Sequence, residues 1–148
     1  MRIGTIIIAY DSELYLLANL LHSVKKFLHT KMNHNIQIFR PTDRRSAFDG
    51  VPEGERAMIH ETTYTSDRED WAAERIAEQM FHILNAPEEM LKEDELVLAN
   101  NFRAQKHYSL STGDVVDVDG TSFLCESFGW KEVRLTYAST RDTYLCHY

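Results

Sequence analysis

One stretch decides the fold of the C-terminal half of this chain: residues Ser109 to Trp130, which read SLSTGDVVDVDGTSFLCESFGW. The mostly apolar run Val115 to Val118 leads into Asp119-Gly120, and the run Phe123 to Cys125 leads out of it. Asp-Gly between two such runs predicts a tight hairpin, because both central residues of its turn take positive φ. The stretch therefore predicts a compact antiparallel β unit.

The residues after this hairpin extend the same unit. Gly129-Trp130 interrupts the chain, and Val133, Leu135 and Tyr137 then alternate with polar residues, which is typical of a strand. Residues Thr143 to His147 predict a last strand. Short antiparallel strands of this kind favour a curled sheet or small barrel, and we expect Phe128 and Trp130 to cover its core.

The N-terminal third predicts a β-α-β element. Arg2 to Tyr10 contains a β-branched run typical of a buried strand, and Leu14 to Leu28 repeats leucines at helical spacing. Ile36 to Phe39 predicts a second strand, which Pro41 ends. If the two strands lie side by side and parallel, the connection is a right-handed crossover.

The middle of the chain predicts a loop, a strand and two acidic helices. The loop spans residues 40–55, and the strand spans Arg56 to Thr65. Ser66 and Glu69 have the spacing of a helix capping box, and Pro87 ends the helix that follows. Asp94 is predicted to cap the next helix. The inner face of the first helix is predicted to contain Ala73, Ile76, Ala77, Met80, Phe81 and Leu84.

Together these elements predict a single α+β domain of 148 residues. It combines an N-terminal β-α-β element, an acidic helical segment and a C-terminal antiparallel sheet or small barrel. We expect two sub-lobes, residues 1–48 and residues 56–148. No apolar stretch reaches the roughly 18 residues that a membrane-spanning helix needs, so we expect no membrane partner.

The two cysteines, Cys125 and Cys146, are too few for the disulfide framework of a small secreted domain. They favour a reducing compartment, and we expect a cytoplasmic protein. Pairing of the two thiols stays open at this point, as does the oligomeric state.

The formal net charge of −7 is unevenly distributed along the chain. Residues 1–48 carry +4, residues 49–95 carry −10 and residues 96–148 carry −1. The acidity therefore belongs to the middle third, where most of the carboxylates are predicted to lie on helices.

The runs Ser109 to Val116 and Ser127 to Val133, with the hairpin between them, resemble the YodL-like family. This family consists of small, largely uncharacterised proteins of bacteria, phages and plasmids. The segment Asn85 to Ala104 resembles the helical lead-in of versions from actinobacterial phages, so the likeness covers the C-terminal half to two-thirds of the chain. The N-terminal third has no counterpart.

The resemblance implies a mobile-element context, and no catalytic residues come with it. We interpret the motif residues as structural, with turns at the two glycines and aromatic closure at the end. They are Ser109, Leu110, Ser111, Gly113, Asp114, Ser127, Phe128, Gly129 and Trp130.

No pattern in the sequence predicts a catalytic, metal or cofactor site. Cys125, Cys146, His107 and His147 lack metal-ligand spacing, and Cys125 is expected to be a core residue rather than a nucleophile. Asp114, Asp117 and Asp119 are interpreted as solvated charges beside turns, and the glycines lack the companions of a phosphate-binding loop.

Two charged groups are candidate interaction surfaces, although solvated helix ends and caps would explain both. The basic patch consists of Lys25, Lys26, Arg44 and Arg45. The acidic surface consists of Glu69, Asp70, Glu74, Glu78, Glu88 and Glu89.

From these observations we expect a non-enzymatic accessory protein of a phage or mobile element that acts in the host bacterial cytoplasm. It would bind a host protein, for host takeover or anti-defence. One alternative is an acidic mimic of nucleic acid that inhibits a host DNA-binding enzyme. A second alternative, less favoured, is a nucleic-acid-binding module.

Overall fold

The structure is a computed structural model, and it describes residues 13–21, 31–43, 54–138 and 142–148. The chain forms two compact units: Met1–Met32 with Asp67–Asp70, and Asn33–Ser66 with Trp71–Tyr148. The predicted strand Arg2 to Tyr10 and most of the predicted loop at residues 40–55 lie outside the described residues.

The described elements follow one another in a mixed order. They are helix α1 (residues 13–21), strands β1 (Met32–Pro41) and β2 (Glu55–Ser66), helix α2 (Ala73–Asn85), a 3₁₀ turn (Glu88–Met90), helix α3 (Glu93–Ala104), and strands β3 (Val115–Val118), β4 (Thr121–Cys125), β5 (Trp130–Ala138) and β6 (Thr143–His147). The predicted α+β class is confirmed.

The six strands close into a barrel in the order β1-β2-β6-β5-β4-β3. β1 pairs antiparallel with β3, from Ile36 opposite Val118 to Phe39 opposite Val115. Its other neighbour is β2, so both of its edges are occupied. β1 is therefore a barrel strand and not part of a separate lobe ending at residue 48.

Apolar side chains on the two faces of the barrel wall form two separate clusters. Neighbouring strand residues such as Ile38 and Phe39 point to opposite faces. The first cluster joins one face of β1, β3 and β4 to α2 and α3, and it includes Ile36, Ile38, Val116, Val118, Phe123, Ile76, Met80 and Phe102. The second cluster is Phe39, Val115, Leu124, Val133 and Cys146, with Leu135 and Tyr144 beside it. Because five strands and no helix contribute to the second cluster, it fills the barrel interior.

The β3-β4 hairpin confirms the prediction made from Asp119-Gly120. These residues have φ of 52° and 94°, as a primed two-residue turn requires. Val115 lies opposite Leu124, and Val118 lies opposite Thr121.

Helix α2 begins later than the Ser66 to Glu69 capping box predicts. Ser66 is the last residue of β2, and the helix starts at Ala73 without a side-chain cap. The strand continues because its final residues find partners on β1, such as the 2.8 Å hydrogen bond from Thr65 Oγ1 to Asn33. The predicted helix end before Pro87 is confirmed, and its buried face contains Ile76, Ala77, Met80, Ile83 and Leu84.

Helix α3 begins at Glu93, one residue before the predicted cap Asp94. The Glu95 carboxylate, itself buried, accepts a 3.0 Å hydrogen bond from the backbone N–H of Lys92. The Glu95 side chain therefore caps the helix at Lys92, and Asp94 lies inside the first turn.

In the first unit, residues 13–21 are helical, which confirms the first half of the predicted N-terminal helix. The side chains of these nine residues are all exposed, including Leu14, Leu17 and Leu21. Within the described part of the chain, no helix is long and apolar enough to cross a membrane.

Candidate functional site

The motif at Ser109 to Asp114 is organised around one buried carboxylate. Asp114 is 1% exposed, and its two oxygens accept hydrogen bonds from Nε (3.1 Å) and Nη2 (2.9 Å) of Arg40. The same carboxylate accepts from the backbone N–H of Ser111 at 2.9 Å, and Arg40 also donates to the carbonyl of Ser109 at 2.6 Å. Asp114 is therefore not a solvated charge, because β1 supplies a bidentate cation that compensates its desolvation.

A second arginine completes this arrangement. Arg56 on β2 is almost fully buried, and it donates to the carbonyls of Gly113 and Gly54, each at 3.1 Å. Burial lowers the pKa of its guanidinium, while the nearby charge of Asp114 opposes that shift. The motif is thus held to β1 and β2 by charged side chains.

The other early motif residues also serve the fold. Leu110 is buried, and its backbone N–H and carbonyl bond to the side chain of Asn85 at 2.7 and 3.0 Å. Gly113 has φ of 95°, which confirms its predicted turn role, and its N–H donates to the carbonyl of Cys125 at 2.8 Å. Ser111 contributes backbone groups to the turn rather than its hydroxyl.

A serine, a histidine and an aspartate lie in a row at the other end of β1. Nδ1 of His34 lies 2.7 Å from the carboxylate of Asp119, and Nε2 lies 3.0 Å from Oγ of Ser66. Because a carboxylate can only accept, Nδ1 donates to Asp119, and the second hydrogen bond joins Nε2 to the Ser66 hydroxyl. This connectivity is that of a serine hydrolase triad.

The burial of this row argues for a structural role. Ser66 is 0% exposed and His34 is also buried, so the hydroxyl has no path to a substrate carbonyl in this conformation. Asp119 is in addition tied to Asn35, whose N–H donates to its Oδ1 at 2.8 Å. The row joins β1, β2 and the β3-β4 turn, and it satisfies polar groups that the barrel buries.

Cys125 is buried, as predicted, which disfavours a thiol nucleophile. Burial raises the pKa of its thiol to about 11, and the charge of Asp114 adds to the shift. Cys125 and Cys146 are both free thiols in the structure, and both are buried.

The turn between β4 and β5 presents a fully exposed aromatic side chain. Phe128 is 97% exposed, so the prediction that it covers the barrel core is wrong. The turn is closed by a 3.0 Å hydrogen bond from the N–H of Glu126 to the carbonyl of Gly129, whose φ is 90°. Ser127 is also exposed, so Phe128 projects into solvent from a hydrogen-bonded turn.

Trp130 follows this turn and packs inward, as predicted. It lies against the cluster shared by the barrel and helices, and its ring meets that of Phe81 edge to face, with centroids 6.1 Å apart. The turn that carries Phe128 is therefore anchored to α2 through Trp130.

All six residues of the predicted acidic surface are exposed, and they are divided between the two units. Glu69 and Asp70 belong to the first unit, and the other four belong to the second. Three of the carboxylates lie beside arginines: Asp70 with Arg68 at 3.2 Å, Glu78 with Arg75 at 3.0 Å and Glu88 with Arg103 at 3.5 Å.

Lys25, Lys26, Arg44 and Arg45, the predicted basic patch, lie outside the described residues. Among the residues that the structure does describe, no three His, Cys, Asp or Glu side chains come together as a metal site.

Sequence reasoning missed Arg40, Arg56 and His34. Each is a charged or polar strand residue that interrupts no apolar run, since His34 lies between two asparagines, Arg56 follows Glu55 and Arg40 precedes Pro41. The local sequence therefore carries no signal of their buried partners. The partners themselves are 74 residues away for Arg40 and 85 for His34, beyond any local pattern.

No protein-family model, curated protein or solved structure matches this chain.

Proposed function

We propose that this protein is a non-enzymatic accessory protein of a phage or related mobile element that binds a host protein through Phe128. The observation that carries the proposal is the 97% exposure of a phenylalanine on a hydrogen-bonded turn. Burial of such a side chain contributes about 1.5–3 kcal/mol. Exposed aromatic residues that a scaffold holds in place supply much of the energy of protein interfaces.

The biological setting in the proposal rests on the resemblance of residues 109–133 to YodL-like proteins. A chain that acts on a host macromolecule during infection works in the host cytoplasm, and the two free thiols suit that reducing compartment. Host takeover and anti-defence are the outcomes that fit such a partner.

The test compares host proteins captured by the immobilised wild-type chain, by Phe128→Ala and by Tyr108→Ala. Tyr108 is a matched control, because it is an exposed aromatic residue outside the β4-β5 turn. We expect Phe128→Ala to lose a specific host protein that the other two retain, with purified components confirming the loss. Equal retention by Phe128→Ala would remove the basis of the proposal.

The non-enzymatic part of the proposal has its own test in the Ser66, His34 and Asp119 row. We expect no reaction of the folded chain with a fluorophosphonate probe, because Ser66 is buried. Covalent labelling at Ser66 that His34→Ala abolishes would show that the row opens and acts as a hydrolase.

The acidic-mimic alternative is favoured by the exposure of Glu74 and Glu78 on α2. Reversal of both charges to lysine would then weaken binding to a DNA-binding host enzyme, and the wild-type complex would show steep salt dependence. The nucleic-acid-binding alternative instead requires the chain itself to retard DNA or RNA at low salt, with Arg44 and Arg45 contributing.

A further inference from the structure

Phe128 lies two residues before Trp130, which packs against Phe81, and we call these three side chains the aromatic edge. Trp130 and Phe81 are each partly exposed, and their rings meet at 84° with centroids 6.1 Å apart. Phe128 precedes Trp130 by two residues and extends into solvent. The edge thus runs from α2 to the tip of the β4-β5 turn.

Two exposed carboxylates lie beside the aromatic edge. Glu126 is part of the same turn as Phe128. Glu132 shares its face of β5 with Trp130, because alternate strand residues point the same way. Within the described part of the chain, neither carboxylate forms an ion pair.

β5 carries two cations near these carboxylates, and one of them is directed away from the edge. Arg134 is exposed and shares its face of β5 with Trp130 and Glu132. Lys131 points to the face of β5 opposite Trp130, and its ammonium lies 3.4 Å from the ring centroid of Tyr148. On its face of β5, Trp130 is therefore followed first by Glu132 and then by Arg134, while Glu126 lies in the turn with Phe128.

We infer that the partner segment that covers the aromatic edge is cationic and amphipathic, with an apolar pocket for Phe128 and Lys or Arg side chains opposite Glu126 and Glu132. This inference rests on the proposed function and specifies the chemistry of its partner. An apolar centre with complementary charges at the rim is the usual anatomy of a protein interface. An acidic segment would leave the two carboxylates facing like charge.

The experiment uses the full chain with Trp71→Phe, which leaves Trp130 as the single tryptophan of the two in the sequence. Its emission reports binding at the edge. Three synthetic peptides of equal length serve as probes: an amphipathic helix of Leu and Lys, the same helix with Glu for Lys, and a Ser and Lys peptide. We expect the Leu/Lys peptide to bind at least about tenfold more tightly than the others.

Three variants of this chain show whether binding occurs at the edge. Phe128→Ala should weaken Leu/Lys binding about tenfold, and Glu126→Gln with Glu132→Gln should weaken it and flatten its salt dependence. Glu89→Gln with Glu93→Gln removes the same charge from exposed positions on the 3₁₀ turn and α3, and should leave binding unchanged.

Several results would overturn the inference. If the Glu peptide binds as tightly as the Leu/Lys peptide, the edge does not prefer a cationic partner. If the Glu89 and Glu93 variant weakens binding as much as the Glu126 and Glu132 variant does, the attraction comes from the overall charge of the chain and not from the edge. Self-association of the wild-type chain that Phe128→Ala abolishes would make a second copy the occupant. If Phe128→Ala loses the captured host protein while neutralising Glu126 and Glu132 has no effect, the proposed function stands and the cationic partner is wrong.

Discussion

Asp114 shows how one side chain can join a local turn to the closure of the barrel. Its carboxylate bonds the N–H of Ser111 within the turn and the guanidinium of Arg40 on β1, 74 residues earlier in the chain. Arg56 on β2 bonds the carbonyl of Gly113 next to it. A turn that sequence reasoning explains by its glycine alone is thus also fixed by two cations from other strands.

We expect Asp114→Asn to lower the free energy of unfolding by about 3 kcal/mol, because it leaves Arg40 without the buried carboxylate that it binds. Urea denaturation monitored by circular dichroism measures the change. Glu126→Gln removes an exposed carboxylate from the neighbouring turn and should stay within about 0.5 kcal/mol of wild type. Equal stability of the two variants would mean that the buried carboxylate contributes little.

The raised pKa of Cys125 predicts a loss of stability at alkaline pH. Burial shifts the thiol pKa from 9.0 to about 11, so the folded state holds the proton more tightly than the unfolded state does. The contribution is fully present below pH 9 and is lost as the pH rises towards about 11. Measured between pH 8 and pH 11, the free energy of unfolding should fall less steeply for Cys125→Ala than for wild type, since other groups titrate in both proteins. Parallel pH profiles would contradict the buried, protonated thiol.

At the scale of single elements, local signals predicted the β3-β4 hairpin, β2, β5 and the end of α2, because turn residues and apolar alternation act over a few positions. The capping box predicted at Ser66 does not form, and the reason is physical. Its serine is taken into β2, where its hydroxyl bonds His34, and a strand pairing with β1 outcompetes a helix start. The prediction that Phe128 covers the barrel core was wrong because a sequence pattern does not show which side of a turn faces solvent.

The hairpin turn itself can be tested at Gly120. Its φ is 94°, and an added Cβ would meet no atom within 4 Å, so the effect of an alanine is conformational and not steric. We expect Gly120→Ala to cost roughly 1–3 kcal/mol of stability. Thr112→Ala, at an exposed turn position without positive φ, is the control and should be close to neutral. A neutral Gly120→Ala would mean that the turn relaxes into another type.

At the scale of the whole molecule, barrel closure is what the sequence could not predict. Ile36 pairs with Val118, and Phe39 pairs with Val115, so β1 completes a barrel whose other members mostly follow much later in the chain. The apolar run at Ile36 to Phe39 suits a parallel sheet as well as a barrel, since both bury the two faces of a strand. The C-terminal strands could be predicted because short local turns connect them. The place of β1 in the barrel depends on its pairing with β3, which no local pattern contains.

This dependence on β1 predicts different outcomes for two N-terminal truncations. Both described apolar clusters take their residues from Ile36 onward, so a chain that begins at Met32 keeps every described core residue. A chain that begins at Thr42 lacks Ile36, Ile38 and Phe39, leaves β2 and β3 with open edges, and removes Arg40 from Asp114. We expect the first truncation to unfold cooperatively in urea with a β-rich circular dichroism spectrum, and the second to be unfolded or aggregated.

Addition of a synthetic peptide of residues 32–43 to the second truncation should restore some β signal, whereas a peptide with Ile36→Asp and Ile38→Asp should not. A cooperatively folded second truncation would show that the barrel closes without β1.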